Sequence, residues 1–274
     1  MPFQLTDIWR YPVKSGRGER LAEATVEPWG LAGDRRWMVV DDAGDPLTAR
    51  EHPRMLLIEP RLADSRITLG APGWPDVTVE VPAGAELVPV QVWSARLLAS
   101  LADDQAAAWL TKVIGCPARL VYLDDPTRRA PNPQYSEPAD RVSFADGYPL
   151  LLTSEESLDA LNAWIAEGKK AAEGPVPMRR FRPNVVVSGA PAWAEDDWRR
   201  LRIGPVAFRN AKGCDRCVMT TVDPDTAVKG HEPLFALARH RRWDNKVWFG
   251  INLIPDAPDP AAVIRPGDPV EIIE

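Results

Sequence analysis

The chain has 274 residues, of which 45% are apolar and 26% charged, and a formal net charge of −6 at pH 7. That length suits one elaborate domain or two joined ones, and the composition is that of a folded globular protein, which excludes a disordered chain. The acidic balance gives no reason to expect nucleic-acid binding, and no run approaches the roughly 20 apolar residues of a spanning helix, so no membrane partner is expected either.

The 28 prolines and 18 glycines are scattered between short apolar runs, the pattern of many short strands joined by turns. The fold expected is mainly β with a few peripheral helices. In chain order, Met1 to Asp7 lacks a basic segment followed by an apolar one, so cytoplasmic residence is the expectation. Arg36 to Asp41 reads as a strand, with Asp42-Ala43-Gly44-Asp45 turning the chain into Leu47 and Thr48. Met55 to Pro60, Arg66 to Leu69, Asp76 to Val81 and Leu87 to Val92 follow as strands between turn-forming residues. Asp103 and Asp104 then open a helix that ends near Gly115, acids in its first turn and good helix formers after them.

The proline-rich, charged run from Asp124 to Pro133 predicts an exposed loop. It divides the chain into residues 1–123, a linker 124–140 and residues 141–274. Thr153-Ser154-Glu155-Glu156 forms a capping box ahead of Leu158, Leu161 and Ile165, an apolar stripe at helical spacing. Val218 to Val222 reads as a strand, and a shorter helix is predicted from Pro233 to Arg242.

The chemistry concentrates at Gly213-Cys214-Asp215-Arg216-Cys217. A thiolate beside an arginine is poised to bind a soft metal. Half of a structural zinc site is one reading, but the histidines that follow, His231 and His240, are nine positions apart where zinc-finger spacing wants three to five intervening residues. A dithiol redox pair is a second, which needs a helix after the first cysteine where this sequence offers β-branched residues. Two buried core thiols are a third. The fourth is a single cysteinyl ligand, Cys217, on a metal whose other positions a cofactor fills. Only three cysteines are present, an odd number, which argues against a disulfide framework.

Tyr11-Pro12-Val13-Lys14-Ser15, Asp34-Arg35, Thr48-Ala49-Arg50, Phe181-Arg182-Pro183-Asn184, Cys214-Asp215-Arg216-Cys217, Thr220-Thr221-Val222-Asp223-Pro224 and Pro266-Gly267-Asp268-Pro269-Val270 occur in that order from end to end. With these motifs the chain resembles the MOSC-domain family, the group that includes the mitochondrial amidoxime-reducing component and its bacterial relatives. The resemblance implies a MOSC N-terminal β-barrel-like domain in 1–123 and a MOSC β-barrel in 141–274. It also implies a molybdenum cofactor, a molybdopterin whose dithiolene binds the metal, with Cys217 as the protein ligand. Lys14, Ser15, Arg35, Arg182, Asn184 and Arg216 match family positions that contact the cofactor. Thr153 and Ser154 fall where the family places hydroxyls near its phosphate, in keeping with the anion affinity of a helix N-terminus.

The implied reaction is reductive removal of oxygen from small N-hydroxylated compounds: amidoximes, hydroxylamines and N-hydroxy base analogues. Arg216 is expected to favour the thiolate of Cys217. No further cysteine cluster follows before Glu274, so electrons are expected from a separate protein of ferredoxin or cytochrome b5 type with its reductase. A cofactor or sulfur carrier without turnover of its own is the alternative. Trp37, Trp243 and Trp248 are candidates for lining a substrate entrance, Arg50 for the cleft or for a surface pair, and Asp223 and Asp225 for a turn.

Overall fold

A computed structural model describes residues 3–274. Its architecture is mainly β, organised around one large sheet and three small ones, with three α-helices. The central path of the large sheet runs Val206–Asp215, Lys246–Pro255, Leu150–Ser154, Val185–Ser188 and Gln4–Arg10. All these neighbours are antiparallel except Leu150–Ser154 and Val185–Ser188. A parallel pair needs a long crossover, and the helix Glu155–Ala166 lies on it.

The first strand therefore belongs to a sheet otherwise built mostly from the second half of the chain. Residues 24–27 likewise pair with 263–264 near the other terminus. The remaining small sheets are local. Trp37–Val40, Arg119–Tyr122, Ala95–Leu101 and Leu87–Val92 form one, and Glu59–Ala63, Arg66–Ala71 and Trp74–Glu80 form a meander. In these strands the period of two is explicit: Val77 and Val79 are buried while Thr78 and Glu80 face solvent. Buried Ile67, Leu69, Val77 and Val79 pack with Trp109, Leu110 and Val113 of α1, Asp104–Ile114. Each such side chain contributes about 1.5–3 kcal/mol of burial free energy.

Helix α1 starts where Asp103 accepts the Ala106 amide at 2.8 Å and ends at Gly115 with φ 91°, as its sequence signals predict. Helix α2, Glu155–Ala166, is capped by Ser154, whose Oγ accepts from the Ser157 amide, and not by Thr153, which lies within the preceding strand. Helix α3, Leu234–His240, packs Ala236 and Leu237 with Leu161 and Ile165 of α2 and the stacked rings of Phe181 and Phe249. No helix among the described residues is long and apolar enough to cross a membrane.

Three sequence expectations are corrected. Pro53–Leu57 is a 3-10 turn and the strand begins only at Glu59, because Pro53 fixes a helical φ at the start of a short turn. Val218–Thr221 is also a 3-10 turn, with the Thr220 and Thr221 hydroxyls bonded back to the carbonyls of Cys217 and Val218. Those local bonds outcompete β propensity. The loop 124–133 is only partly exposed: Pro126, Arg129 and Pro131 are buried, Arg129 by donating to the carbonyls of Ser143, Ala145 and Asp146.

Glu195 is fully buried, one carboxylate oxygen accepting from Ser157 Oγ at 2.9 Å and the other without a partner. Burial pushes its carboxyl up to about 7, against the Ser157 hydrogen bond. A carboxyl raised in the folded state destabilises as pH climbs from its ordinary value through the raised one, here by about 3 kcal/mol in all. Denaturant unfolding between pH 4.5 and 8 is expected to show this loss, and Glu195→Gln is expected to flatten that part of the profile.

Candidate active site

A cavity of about 880 Å³ opens between the sheets, lined from both halves of the chain. Eight cationic side chains reach it, Lys14, Arg35, Arg50, Arg129, Arg180, Arg182, Lys212 and Arg216, against the carboxylates of Asp146 and Asp215. In a chain of net charge −6 this is a local concentration of positive charge suited to a polyanion.

Tyr11 organises one wall. Its backbone amide donates to Asp34 Oδ1 at 2.8 Å, and the guanidinium groups of Arg35 and Arg182 stand 4.5 and 4.2 Å from its ring centroid. Gly18 leaves room for that ring, since a Cβ there would lie 2.3 Å from Tyr11 Cε1. Arg35 donates to Asp34 Oδ2 at 2.6 Å and to Asn184 Oδ1 at 2.8 Å, and Arg182 donates to the Gly16 carbonyl at 2.6 Å. Ser15, Arg35 and Arg182 all have positive φ, at 65°, 47° and 56°. Three non-glycine residues in the left-handed region at one site carry strain that the surrounding hydrogen bonds hold in place. Burial raises the Tyr11 phenol to about 12, outweighing Arg182 and Arg35, and lowers the Arg182 guanidinium to about 10, still charged at neutral pH.

Lys14 is buried and donates to the Phe144 carbonyl at 2.9 Å while pairing with Asp146. Burial lowers its ammonium and Asp146 opposes that. Asp146 is exposed and lines the cavity. Its desolvation raises the carboxyl, but Lys14, with Arg50 and Arg35 behind it, holds it well below the usual carboxylate range.

Cys217 is exposed on the cavity wall, at the head of the 3-10 turn, and no hydrogen bond engages its thiol among the described residues. Arg216 precedes it in the chain and makes its hydrogen bonds elsewhere. Its Nη1 donates to Cys214 Sγ at 2.8 Å and its Nη2 to the Phe181 carbonyl at 2.6 Å, leaving Nε buried without a partner. Cys214 is a half-buried member of the same wall. No group of three or more His, Cys, Asp or Glu side chains is placed to hold a metal among the described residues. A metal here would take one protein thiolate and its remaining ligands from a bound group.

The structure thus gathers Lys14, Ser15, Arg35, Arg182, Asn184, Arg216 and Cys217 around one cavity, together with Arg50. Thr153 and Ser154 are not among its lining residues. Both are fully buried, Thr153 Oγ1 donating to Met178 Sδ and Ser154 Oγ to Glu156, because the cap is consumed within its own helix. Trp37 lies in the core, and Trp243 and Trp248 stack on each other without lining the cavity, Trp248 lying behind the lining residues Lys212 and Asp215; the tryptophan that reaches the cavity is Trp93. Asp223 shapes a turn, its carboxylate accepting from the amides of Asp225 and Thr226. Sequence reasoning missed Asp146, Arg129 and Arg180. The Arg128-Arg129 pair in a proline-rich stretch was the available signal, and it resembles ordinary loop charge.

Residues 2–117 match the family described as the MOSC N-terminal beta barrel domain, and residues 139–271 match the MOSC domain. The chain is 32% identical over 285 residues to mitochondrial amidoxime-reducing component 1 of Mus musculus, covering 98% of this chain and 82% of that protein. It is 33% identical over 257 residues to mitochondrial amidoxime reducing component 2 of Rattus norvegicus, covering 89% and 74%. A molybdenum cofactor sulfurase of Oryza sativa subsp. japonica aligns at 32% identity with 91% of this chain and 32% of its own length. The chain belongs to the MOSC family, with both the N-terminal β-barrel domain and the MOSC domain.

Asp146 tests the electrostatics of the site. A carboxyl depressed by its partners contributes stability above its ordinary value near pH 4, lost as pH falls through the folded value. Asp146→Asn is expected to cost about 1 kcal/mol at pH 7, discounted because the carboxylate meets solvent in the cavity. The difference from wild type should shrink below about pH 4 in acid-limb denaturation curves.

Proposed function

We propose that this protein is a molybdenum-cofactor-dependent oxidoreductase that reduces N-hydroxylated compounds. The observation that carries the reading is Cys217, an uncommitted thiol on a cationic cavity large enough for a pterin-sized ligand. The residues fit such a group. The buried Nε atoms of Arg129, Arg180 and Arg216 lack partners among the described residues, and eight cationic side chains line the cavity that an anionic group would enter. The two relatives named for amidoxime reduction cover most of the chain and support the same reading.

When bound, the cofactor would supply a two-electron centre that removes oxygen from nitrogen, with two protons taken up and water released. The protein would contribute the rest. Cys217 would ligate the metal as thiolate, and Lys14, Arg35 and Arg182, fixed in advance by their hydrogen bonds, would neutralise the anionic pterin without reorganising. Arg216, tied to Cys214 and Phe181, would hold the chain on both sides of the ligand. Asp146, one of the two carboxylates that reach the same space, would be ionised at neutral pH, an acceptor rather than a donor of protons. Electrons would come from a separate carrier of ferredoxin or cytochrome b5 type, and the proposed setting is the cytoplasm, in keeping with three free cysteines.

The rice sulfurase aligned with nearly the whole chain favours a second reading, a carrier of the cofactor or of sulfur on Cys217. One experiment separates the two. Wild type and Cys217→Ser are purified from a host that makes molybdenum cofactor, then assayed for bound molybdenum and for benzamidoxime reduction with a chemical reductant. Near one molybdenum per wild-type chain, strong depletion in the variant and at least about a hundredfold loss of turnover are expected. Molybdenum without turnover would favour the cofactor carrier, and zinc or no metal in wild type would overturn the reductase and the cofactor carrier alike.

A further inference from the structure

The hairpin of Leu87–Val92 and Ala95–Leu101 pairs Val92 directly with Ala95, so its loop is the two residues Trp93 and Ser94. Trp93 carries φ 57°, a conformation that bulky side chains avoid, at a loop position where glycine or asparagine is the usual choice. It is also 58% exposed and lines the cavity. An indole largely in water, on a strained backbone, gains little for folding, and such combinations cluster where a ligand is clamped.

The ring is braced from behind. The Arg50 guanidinium stands 4.9 Å from its centroid and 3.8 Å from Asp146, which in turn pairs with Lys14 in the cavity wall. A cation over the ring limits its rotamers and holds the indole at the rim between solvent and the site. Pro131 and Pro133 of the linker line the same cavity.

We infer that Trp93, braced by Arg50, is a stacking platform that selects N-hydroxylated substrates whose reacting group is joined to a flat aromatic or heteroaromatic ring. The inference rests on the reductase reading and narrows its substrate class. Small aliphatic N-hydroxy compounds present the same reacting atoms and no surface for the indole. Stacking one ring on an aromatic side chain is worth about tenfold in affinity, enough to rank substrates without touching the chemistry.

The test compares benzamidoxime with acetamidoxime, which share the amidoxime and differ in the ring. Holoenzyme with chemical reductant is used for wild type, Trp93→Phe and Trp93→Gly. Glycine suits the left-handed backbone, so Trp93→Gly is expected to keep its molybdenum content and melt no lower than wild type while losing the platform. Its KM for benzamidoxime should rise about tenfold with kcat unchanged, its KM for acetamidoxime should stay within about twofold, and Trp93→Phe should recover most of the difference. Equal changes for both compounds, or none for either, would overturn the inference. If wild type reduces neither compound, the reductase reading has failed by itself. Calorimetric titration of benzamidoxime into unreduced wild type and Trp93→Gly then decides the platform, and equal affinities would sink it.

Discussion

The structure depends on one buried carboxamide. Asn184 Oδ1 accepts from Arg35 and from the Leu151 amide, and its Nδ2 donates to the Trp9 carbonyl. Three segments far apart in sequence meet at that side chain. Each bond is worth only about 1 kcal/mol net, but a buried amide left unpaired would cost more than the bonds give, so the register among the three segments is strongly specified. The family resemblance assigned Asn184 to the cofactor. The structure shows its polar atoms engaged within the protein, where it positions Arg35.

From that anchor the cationic wall is built in advance. Arg35 and Arg182 are locked against Tyr11, Arg129 ties down the loop that carries Asp146, and Arg216 is fixed by Cys214 and Phe181. Crowding cations into a protein interior is expensive, and backbone carbonyls offset part of the cost by accepting their N–H groups. An anion entering the cavity would relieve what remains. Strain is part of that wall: of the nine non-glycine residues with positive φ among the described residues, Ser15, Arg35, Arg182 and Trp93 line the cavity, and the other five lie elsewhere. Cys217 is the exception to this locking, since no hydrogen bond engages its thiol among the described residues. Under the proposed function, a site with rigid walls and one free soft ligand would receive a cofactor that brings its own ligands.

Legibility in the sequence followed the range of the forces involved. Helix α1 was readable because its cap, its helix formers and its terminal glycine all lie within a dozen residues. The strand Leu87–Val92 was readable as a short run between turn-forming residues. The runs 55–60 and 218–222 were misread because a proline and two threonine hydroxyls decide those turns through bonds that composition does not reveal. Thr153 and Ser154 look like an anion site from their cap signature, but a cap faces whatever the fold sets before it, and here that is Met178 and the helix's own first turn.

By itself the sequence determined the mainly β class, the family through its ordered motifs, and the residue types that any cofactor site would draw upon, because those are properties of local pattern and of side-chain chemistry. Only the tertiary structure decided that the first strand joins the sheet of the second half and that Arg216 serves Cys214 rather than Cys217. It alone placed Asp146, Arg129 and Trp93 on the same cavity as Lys14. Those relations are fixed by long-range pairing and by the competition among buried polar groups for partners, and neither leaves a periodic trace along the chain.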